Sequence, residues 1–298
     1  MRIATWNVNS LSARLEAVER WLARAQPDIL LLQETKLADD DTPEMPFRMA
    51  GYELLHHGEG RWNGVAIASR VGIAEPIVSN FGDGPVRQSR SAKDAPGADD
   101  FDPLSEARML SAVCGGIRVV SLYAPNGRLL DSSWYAGKLR WFERLAHWLE
   151  KAADPSEAML LGGDLNVTPT DDDVWDAAAV HGATHVSEPE RAALARLRDW
   201  GLVDLYRLRQ PATDRFSWYD YRAGMFHKNM GMRIDLLYAT RPVADRVVWA
   251  EIDREARKGP PTPSDHAPVV VDLDEPGVPF DAGWDAALAR VRKRTGTS

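Results

Sequence analysis

Short apolar runs rich in β-branched residues recur along the chain, separated by glycine, proline and polar residues. Such runs, bounded by turn-forming residues, are typical of buried strands. The pair of glycines between two of these runs, Gly115 and Gly116, predicts a hairpin turn. After a first strand-like run in the sequence ATWNV, strands are predicted at residues 29–32, 65–68, 109–114, 117–123, 159–161, 234–238, 247–252 and 269–273.

Three other stretches carry the 3.6-residue periodicity of helices, at residues 11–24, 134–151 and 189–200. Many strands with few helices predict two packed sheets with the helices outside them. Residues 82–102, rich in glycine and acidic residues, predict one long surface loop. Because there is no internal repeat or interdomain linker, we expect one catalytic domain at residues 1–274. The tail, residues 275–298, is predicted to form a short helix through Trp284 and Leu288 with a basic, mobile end.

The composition is that of an ordinary globular protein. Hydrophobic residues make up 44% of the 298 residues and charged residues 27%. No apolar run approaches the ~20 residues that span a bilayer, and no signal-peptide pattern precedes the first strand. Cys114 is the single cysteine, so an internal disulfide framework is excluded. These observations predict a cytoplasmic protein, monomeric and without a membrane partner.

The net charge of -8 argues mildly against a nucleic-acid partner, because such proteins usually carry a basic surface. This argument is weak if part of the acidic excess belongs to a metal site. Basic residues do cluster at Arg87, Arg90 and Lys93, and again in the tail at residues 290–294. The tail cluster is better explained as a solvated chain end.

Polar side chains stand at the ends of six predicted strands. Any one of them is explained by an Asx-turn that ends a strand, but six together are not. If the strands form two packed sheets, these ends converge on one rim and offer the oxygen ligands that Mg²⁺ and Mn²⁺ prefer. Zinc fits poorly, because there is one cysteine and no closely spaced histidine pair. The strand-end residues are Asn7, Glu34, Tyr123, Asn126, Asp164, Asn166, Asp235, Asp265 and His266.

The motifs that carry these residues resemble the exonuclease III family of abasic-site DNA repair nucleases. That family belongs to the endonuclease/exonuclease/phosphatase superfamily, together with deoxyribonuclease I. The resemblance runs from Met1 to about Leu273, and its short motifs QET, GDLN and SDH are shared with the phosphatases and sphingomyelinases of the superfamily. The blocks RFSWYDYRAG, GLVDLYR and GMRIDLL are specific to the DNA repair branch. The resemblance implies a four-layered α/β sandwich of two packed, mainly antiparallel sheets flanked by helices.

The resemblance also implies a site for Mg²⁺ or Mn²⁺ and the residues that would hold it. Glu34 matches the principal metal-binding carboxylate, and Asn7 and Asp265 lie near the same cation. The full set of candidate ligands is Asn7, Glu34, Asp164, Asn166, Asp265 and His266.

Five residues match catalytic positions of the family. Asp164 matches the residue that positions or deprotonates the attacking water, and Asn166 helps to orient that acid and the phosphate. Tyr123 matches a phenol near the scissile phosphate. His266 matches the imidazole that contacts a phosphate oxygen, and Asp235 would orient it. An aspartate-held histidine keeps one tautomer and is more readily protonated, so it can donate to phosphate.

Specificity for an abasic site requires a pocket that accepts an extruded deoxyribose without its base. Trp218, Met232 and Ile234, in the FSW and RID motifs, are the candidate walls. Trp218 alone is equally well explained as a core aromatic.

Contacts with duplex DNA are expected from three further residues, Asn126, Arg222 and Lys228. For Arg222 or Lys228 alone, solvated surface charge is the better explanation. The segment that contains Arg87, Arg90 and Lys93 is longer than the resemblance leads us to expect, and we expect it to change the grip on DNA.

Three functional hypotheses follow. The first is a metal-dependent DNA repair nuclease that incises duplex DNA 5′ to abasic sites and trims 3′ ends as a 3′–5′ exonuclease. The second is a phosphatase or phosphodiesterase for small molecules or lipids, which shares the superfamily core. The third is an inactive nucleic-acid-binding module, which the intact set of catalytic residue types disfavours.

Overall fold

Two six-stranded β-sheets pack face to face in the computed structural model, which describes residues 1–82, 102–211, 215–260 and 262–277. The strands are β1 (Arg2–Asn7), β2 (Ile29–Gln33), β3 (Glu53–His57), β4 (Val65–Ser69), β5 (Ala74–Ser79), β6 (Met109–Cys114), β7 (Ile117–Tyr123), β8 (Met159–Asp164), β9 (Val203–Asp204), β10 (Asp235–Ala239), β11 (Val247–Ile252) and β12 (Val269–Leu273).

The two sheets have the same internal plan. The first has the strand order β11-β12-β1-β2-β4-β3 and the second has the order β5-β6-β7-β8-β10-β9. In each sheet one pair is parallel, β1 with β2 and β7 with β8, and the other pairs are antiparallel. A parallel pair needs a crossover connection, and each is joined by a long helix.

The helices are α1 (Leu11–Ala25), α2 (Glu44–Met49), α3 (Ser133–Ala152), α4 (Ala177–Val180), α5 (Glu188–Trp200), α6 (Leu205–Arg209) and α7 (Arg241–Ala244). The three predicted helices correspond to α1, α3 and α5. Serines begin all three: Ser10 and Ser132 accept hydrogen bonds from first-turn N–H groups, and Ser187 forms a capping box with Glu190. Such caps satisfy N–H groups that have no partner inside the helix.

The core has three layers of apolar contacts, which together define a four-layered sandwich. Ile3 and Leu31 of the first sheet meet Leu237 of the second between the sheets. Trp21 of α1 packs on the outer face of the first sheet, and Trp141 of α3 packs on the outer face of the second. Burying side chains of this size contributes about 1.5–3 kcal/mol each. The predicted α/β sandwich is confirmed.

All nine predicted strands are present, and so is the hairpin, in which Gly115 and Gly116 have φ of 55° and 80°. Strands β3, β5 and β9 and helices α2, α4, α6 and α7 were not predicted. Strands β3 and β5 lie at sheet edges, and most of their residues are half-buried or exposed, so they lack a continuous apolar run. The predicted loop at 82–102 falls almost wholly outside the described residues, and so does the tail beyond residue 277. Among the described helices, none has the length and apolar character to cross a bilayer.

Candidate active site

The strand-end residues lie along one rim of the sandwich because of the strand directions. In the second sheet Tyr123, at the end of β7, is in register with Asp164 at the end of β8. Asp164 is in turn in register with Asp235, which begins the antiparallel strand β10. In the first sheet Asn7 ends β1, and His266 precedes β12, which runs antiparallel to β1. The facing rims of the two sheets therefore contribute residues to one shared group.

Asn7 connects the two sheets at the centre of this rim. Its Nδ2 donates to Glu34 Oε1 and to Asp164 Oδ2, both at 2.9 Å. The side chain is fully buried, and the amide bridges two carboxylates that would otherwise repel each other. Its own backbone oxygen accepts a hydrogen bond of 2.7 Å from Ser264 Oγ, which ties the loop before His266 to β1.

His266 lies between two aspartates. Its Nδ1 is 2.8 Å from Asp235 Oδ2, and its Nε2 is 3.8 Å from Asp164 Oδ2. Burial lowers the pKa of His266, but Asp235 and Asp164 outweigh it and hold that pKa well above its usual value. Burial, together with Asp235 and Glu34, raises the pKa of Asp164, although His266 opposes this. The imidazole is therefore held as a cation with Nδ1–H directed at Asp235.

Glu34 follows β2 in a left-handed backbone conformation, with φ of 50°. Its Oε1 accepts from Asn7, and its Oε2 lies 2.9 Å from Lys36 Nζ. Burial raises the pKa of Glu34, but Lys36 and Asn7 lower it to below its usual range, so the carboxylate is ionised. Lys36 also donates to Asn9 Oδ1 at 2.6 Å. The sequence reasoning missed Lys36 and Asn9, although each stands two residues after a predicted ligand.

Asp265 is held by two donors. Asn9 Nδ2 lies 3.0 Å from Oδ1, and Trp218 Nε1 lies 3.1 Å from Oδ2. Burial raises the pKa of Asp265, but His266, Trp218 and Asn9 lower it to below its usual value. Of the predicted metal ligands, the structure brings potential donor atoms of Glu34, Asp164 and His266 within 4.8 Å of one another. Asp265 lies outside that group of three.

Asn166 sits beside Asp164 in a tight turn, with φ of 53°. Its backbone N–H donates to Asp164 Oδ1 at 2.9 Å, and its side-chain Nδ2 donates to Ala124 O at 2.9 Å. Asn126, which is exposed at the edge of the site, donates to Asn166 Oδ1 at 3.3 Å. These contacts hold the Asp164 carboxylate and connect it to one predicted DNA contact.

A buried ion pair supports Asn166 from behind and was not predicted. Lys138 Nζ donates to Asn166 O at 2.6 Å and to Glu190 Oε1 at 2.5 Å, and both charged side chains are fully buried. His185 Nδ1 lies 2.6 Å from the same Asn166 oxygen. Lys138 is on the buried face of α3, where a helical pattern alone predicts an apolar residue.

Tyr123 is half-buried, and Arg108 lies over its ring at 4.7 Å. Burial raises the pKa of Tyr123 well above its usual value, and Glu34 raises it further. The phenol therefore stays protonated and can donate a hydrogen bond near Glu34.

The predicted pocket residues form a separate apolar cluster beside His266. Met232 and Ile234 are buried together with Val174, and half-buried Trp218 packs against them. The backbone of Trp218 pairs both with Met232 and with His266, which places the cluster next to the imidazole.

The other two predicted DNA contacts are both exposed. Arg222 is exposed and its guanidinium pairs with Asp220, with Nη2–Oδ2 at 2.5 Å. Lys228 is exposed, and its side chain forms no hydrogen bond or ion pair within the described residues. Arg87, Arg90 and Lys93 lie outside those residues.

The donor set fits a divalent metal ion. Glu34 and Asp164 supply carboxylate oxygens within the group of three, and Asp265 adds a third carboxylate beside it, whereas the His266 imidazolium has no free ring nitrogen to offer the ion. Hard cations prefer such oxygen donors, whereas Cys114, the one thiol, is buried in the core away from the rim.

Comparisons with known proteins agree with this geometry. A sequence model of the Endonuclease/Exonuclease/phosphatase family matches residues 4–266. Exodeoxyribonuclease III of Haemophilus influenzae is 32% identical over 280 residues, covering 90% of this chain and 98% of that protein. The structure of an AP endonuclease from Archaeoglobus fulgidus is similar, with a TM-score of 0.82, 34% identity and coverage of 92% of this chain and 100% of that one. A Neisseria 3′ phosphatase bound to a product DNA hairpin has a TM-score of 0.81, 34% identity and the same coverage. The chain therefore belongs to the endonuclease/exonuclease/phosphatase family, in the exonuclease III branch that its motifs predict.

Proposed function

We propose that this protein is a metal-dependent DNA repair phosphodiesterase. It incises duplex DNA on the 5′ side of abasic sites and removes nucleotides or blocking groups from 3′ ends. One observation carries the proposal: the Asp235–His266 pair lies within reach of Asp164, and Asn7 joins Asp164 to Glu34. The relatives named above, an exodeoxyribonuclease, an AP endonuclease and a 3′ phosphatase, support phosphodiester and phosphomonoester chemistry on DNA.

The proposed cation is Mg²⁺ or Mn²⁺. Glu34 and Asp164 are the closest candidate ligands, and Asn7, Asn166 and Asp265 border them, while His266 contributes as a hydrogen-bond donor. When bound, the cation would supply Lewis acidity at the phosphate and lower the pKa of a water molecule.

The protein's own groups account for the rest of the hydrolysis. His266, protonated and held by Asp235, donates to a nonbridging phosphate oxygen and stabilises the charge that develops there. Asp164 orients the attacking water and accepts its proton, a contribution of roughly 10²–10⁴-fold for general base catalysis. Asn166 fixes that carboxylate through its backbone N–H, and Tyr123 donates from the other side of the rim.

Substrate selection is assigned to the apolar cluster. Trp218, Met232 and Ile234 would receive the extruded abasic sugar, since apolar walls beside His266 place a sugar next to its scissile phosphate. Asn126 would bind a phosphate near Asn166, and Arg222 and Lys228 would contact flanking backbone. The protein would act as a monomer through the single domain at residues 1–274.

A duplex that carries one abasic analogue tests the proposal. The parent should incise it with Mg²⁺ or Mn²⁺ and lose activity in excess chelator or after Glu34→Ala. Asp164→Asn should retain DNA binding but lose at least about 100-fold in rate, because the base is removed and the phosphate contacts remain. Asp245→Asn, which changes an exposed carboxylate directly after α7, is the matched control. Incision that persists in chelator would overturn metal dependence, and activity on small or lipid phosphates alone would favour the phosphatase alternative.

A further inference from the structure

A cavity of about 230 Å³ opens at the opposite end of the rim from the Trp218 cluster. The strand orders show this arrangement. In the first sheet β4 lies beside β2, and β12 lies on the opposite side, beside β1. In the second sheet β6 lies beside β7, and β10 lies on the opposite side, beside β8. The cavity is lined by residues next to β4, β6 and β7, and Glu34 and Tyr123 form its inner edge. The catalytic groups therefore lie between this cavity and the Trp218 cluster.

Two tryptophans line this cavity. Trp62, in the loop before β4, is 41% exposed, with the Arg61 guanidinium 5.5 Å from its ring. Trp134, near the start of α3, is half-buried, and the Arg128 guanidinium lies 3.6 Å from its ring centre. The partly exposed ring of Trp62 is suited to a flat π-system, whereas Arg128 already covers one face of Trp134.

Two of the three cations that the structure describes in the cavity lining are already paired with carboxylates, and the third, Arg128, lies against the Trp134 ring. Lys36 is paired with Glu34 at 2.9 Å, and Arg108 is paired with Glu106 at 2.6 Å. An anion site needs cations that are not already compensated by carboxylates, and among the described lining residues only Arg128 meets that condition. What the cavity offers instead is aromatic surface with hydrogen-bonding edges, including the exposed amide of Asn126.

We propose that this cavity is a nucleobase pocket, which holds the unstacked base of the nucleotide on the 5′ side of the scissile phosphate. The inference rests on the proposed function, because it extends the path of the DNA strand. With the abasic sugar against Trp218 and the phosphate between His266 and Asp164, the next nucleotide lies toward Glu34 and Trp62. The cavity volume is below the ~300 Å³ of pockets for drug-sized ligands, which suits one ring system.

Stacking on a tryptophan should give a measurable effect. Removal of an aromatic platform weakens binding of a base by about 5- to 150-fold, from the usual range of base–aromatic stacking. Part of this gain offsets the cost of unstacking the base, which is lower when the base is mismatched. The net preference for a base at this position should therefore increase with a mismatch.

The test uses two duplexes, each with one abasic analogue at the incision site. On its 5′ side the first duplex carries an ordinary nucleotide, and the second carries another abasic analogue. A 5′ label identifies the incised bond by product length. Parent, Trp62→Ala and Trp62→Phe are compared by catalytic efficiency, with Trp175→Ala as the matched control. Trp175 is 36% exposed and directly follows Val174 of the Trp218 cluster, and its backbone N–H donates to Gly231 O at 3.0 Å.

We expect the parent to prefer the base-bearing duplex, and Trp62→Ala to lose at least fivefold more on that duplex than on the base-lacking one. Trp62→Phe should keep most of the preference, and Trp175→Ala should lose equally on both duplexes. Equal losses for Trp62→Ala on the two duplexes, or no loss, would overturn the base pocket while leaving the nuclease function intact. A parent that incises neither duplex would overturn the proposed function, and the pocket with it.

Discussion

Arg233 offers a direct test of how buried charge stabilises this fold. It lies between two pocket residues, is fully buried, and donates from Nε to Asp173 at 2.6 Å and from Nη2 to Asp204 at 2.8 Å. Replacing it by methionine keeps much of the apolar stem but leaves two carboxylates without their shared partner. Breaking one side of a buried ion pair costs about 3–5 kcal/mol. We expect a loss of about 4 kcal/mol for Arg233→Met, a large part of the ~5–15 kcal/mol of a typical domain.

Urea unfolding followed by tryptophan fluorescence measures this loss. Arg207→Met is the matched control, because Arg207 also donates to Asp173, at 2.5 Å, but its side chain is 17% exposed. Its loss should be less than half as large. The double variant of Arg233→Met with Asp173→Asn should cost less than the sum of the single changes, by at least about 1 kcal/mol, because the buried charge at Asp173, left with Arg207 alone, is removed.

The pH dependence adds a second check. Burial raises the pKa of Asp173, but Arg233 and Arg207 outweigh it and lower that pKa. A carboxyl whose folded pKa is depressed stabilises the protein above its unfolded pKa, and this stabilisation is lost as pH falls through the folded pKa. The difference in stability between parent and Arg233→Met should therefore shrink in acid. A loss below about 1 kcal/mol, or strict additivity in the double variant, would refute the reasoning.

Three further predictions concern other parts of the molecule. Burial raises the pKa of Glu59 to about 7. A carboxyl with a raised folded pKa stabilises the folded protein in full below its unfolded pKa, and this stabilisation is lost as pH rises through 7. The total loss is about 3 kcal/mol. Urea unfolding should show Glu59→Gln gaining on the parent between pH 5 and 8, and parallel profiles would contradict this. Lys138→Met should lower the free energy of unfolding by about 3–5 kcal/mol in thermal unfolding, and it should slow incision because Asn166 loses its support. Adding Glu190→Leu should recover much of the stability, and no recovery would count against an ion-pair origin. Trp218→Ala should slow abasic-site incision more than removal of ordinary 3′ nucleotides, and equal slowing with a lower melting temperature would remove Trp218 from the pocket.

The strands that are buried on both faces could be predicted from sequence, because such strands are continuous apolar runs. Strand β3 could not be predicted, because its residues 53–56 are exposed or half-buried at a sheet edge and combine polar with apolar side chains. The convergence of polar strand ends on one rim followed from the fold class alone. That inference correctly anticipated that Asn7, Asp164 and His266 lie together.

The local partners of the site were harder to predict because loop backbone decides them. Glu34, Lys36 and Asn9 all have positive φ, of 50°, 55° and 46°, and only this turn geometry brings Lys36 back onto Glu34. Non-glycine residues rarely adopt such conformations, and no residue pattern indicates them in advance. Lys138 could not be predicted for a different reason. Lysine is rarely buried unless it is paired, so its burial could be expected only if its partner Glu190 were known.

The closure of the first sheet has a consequence for how the protein becomes active during synthesis. Strand β1 lies between β2 and β12, and the Met1 ammonium group donates to Leu273 O at 2.9 Å. At roughly 5–20 residues per second, the ribosome would deliver β12 about 15–50 s after β1. Until then one edge of β1 has no strand partner, and His266, the hydrogen-bond partner of Asp235, has not been synthesised. A nascent chain would therefore lack nuclease activity until nearly all of the domain has emerged, however well the second sheet has folded.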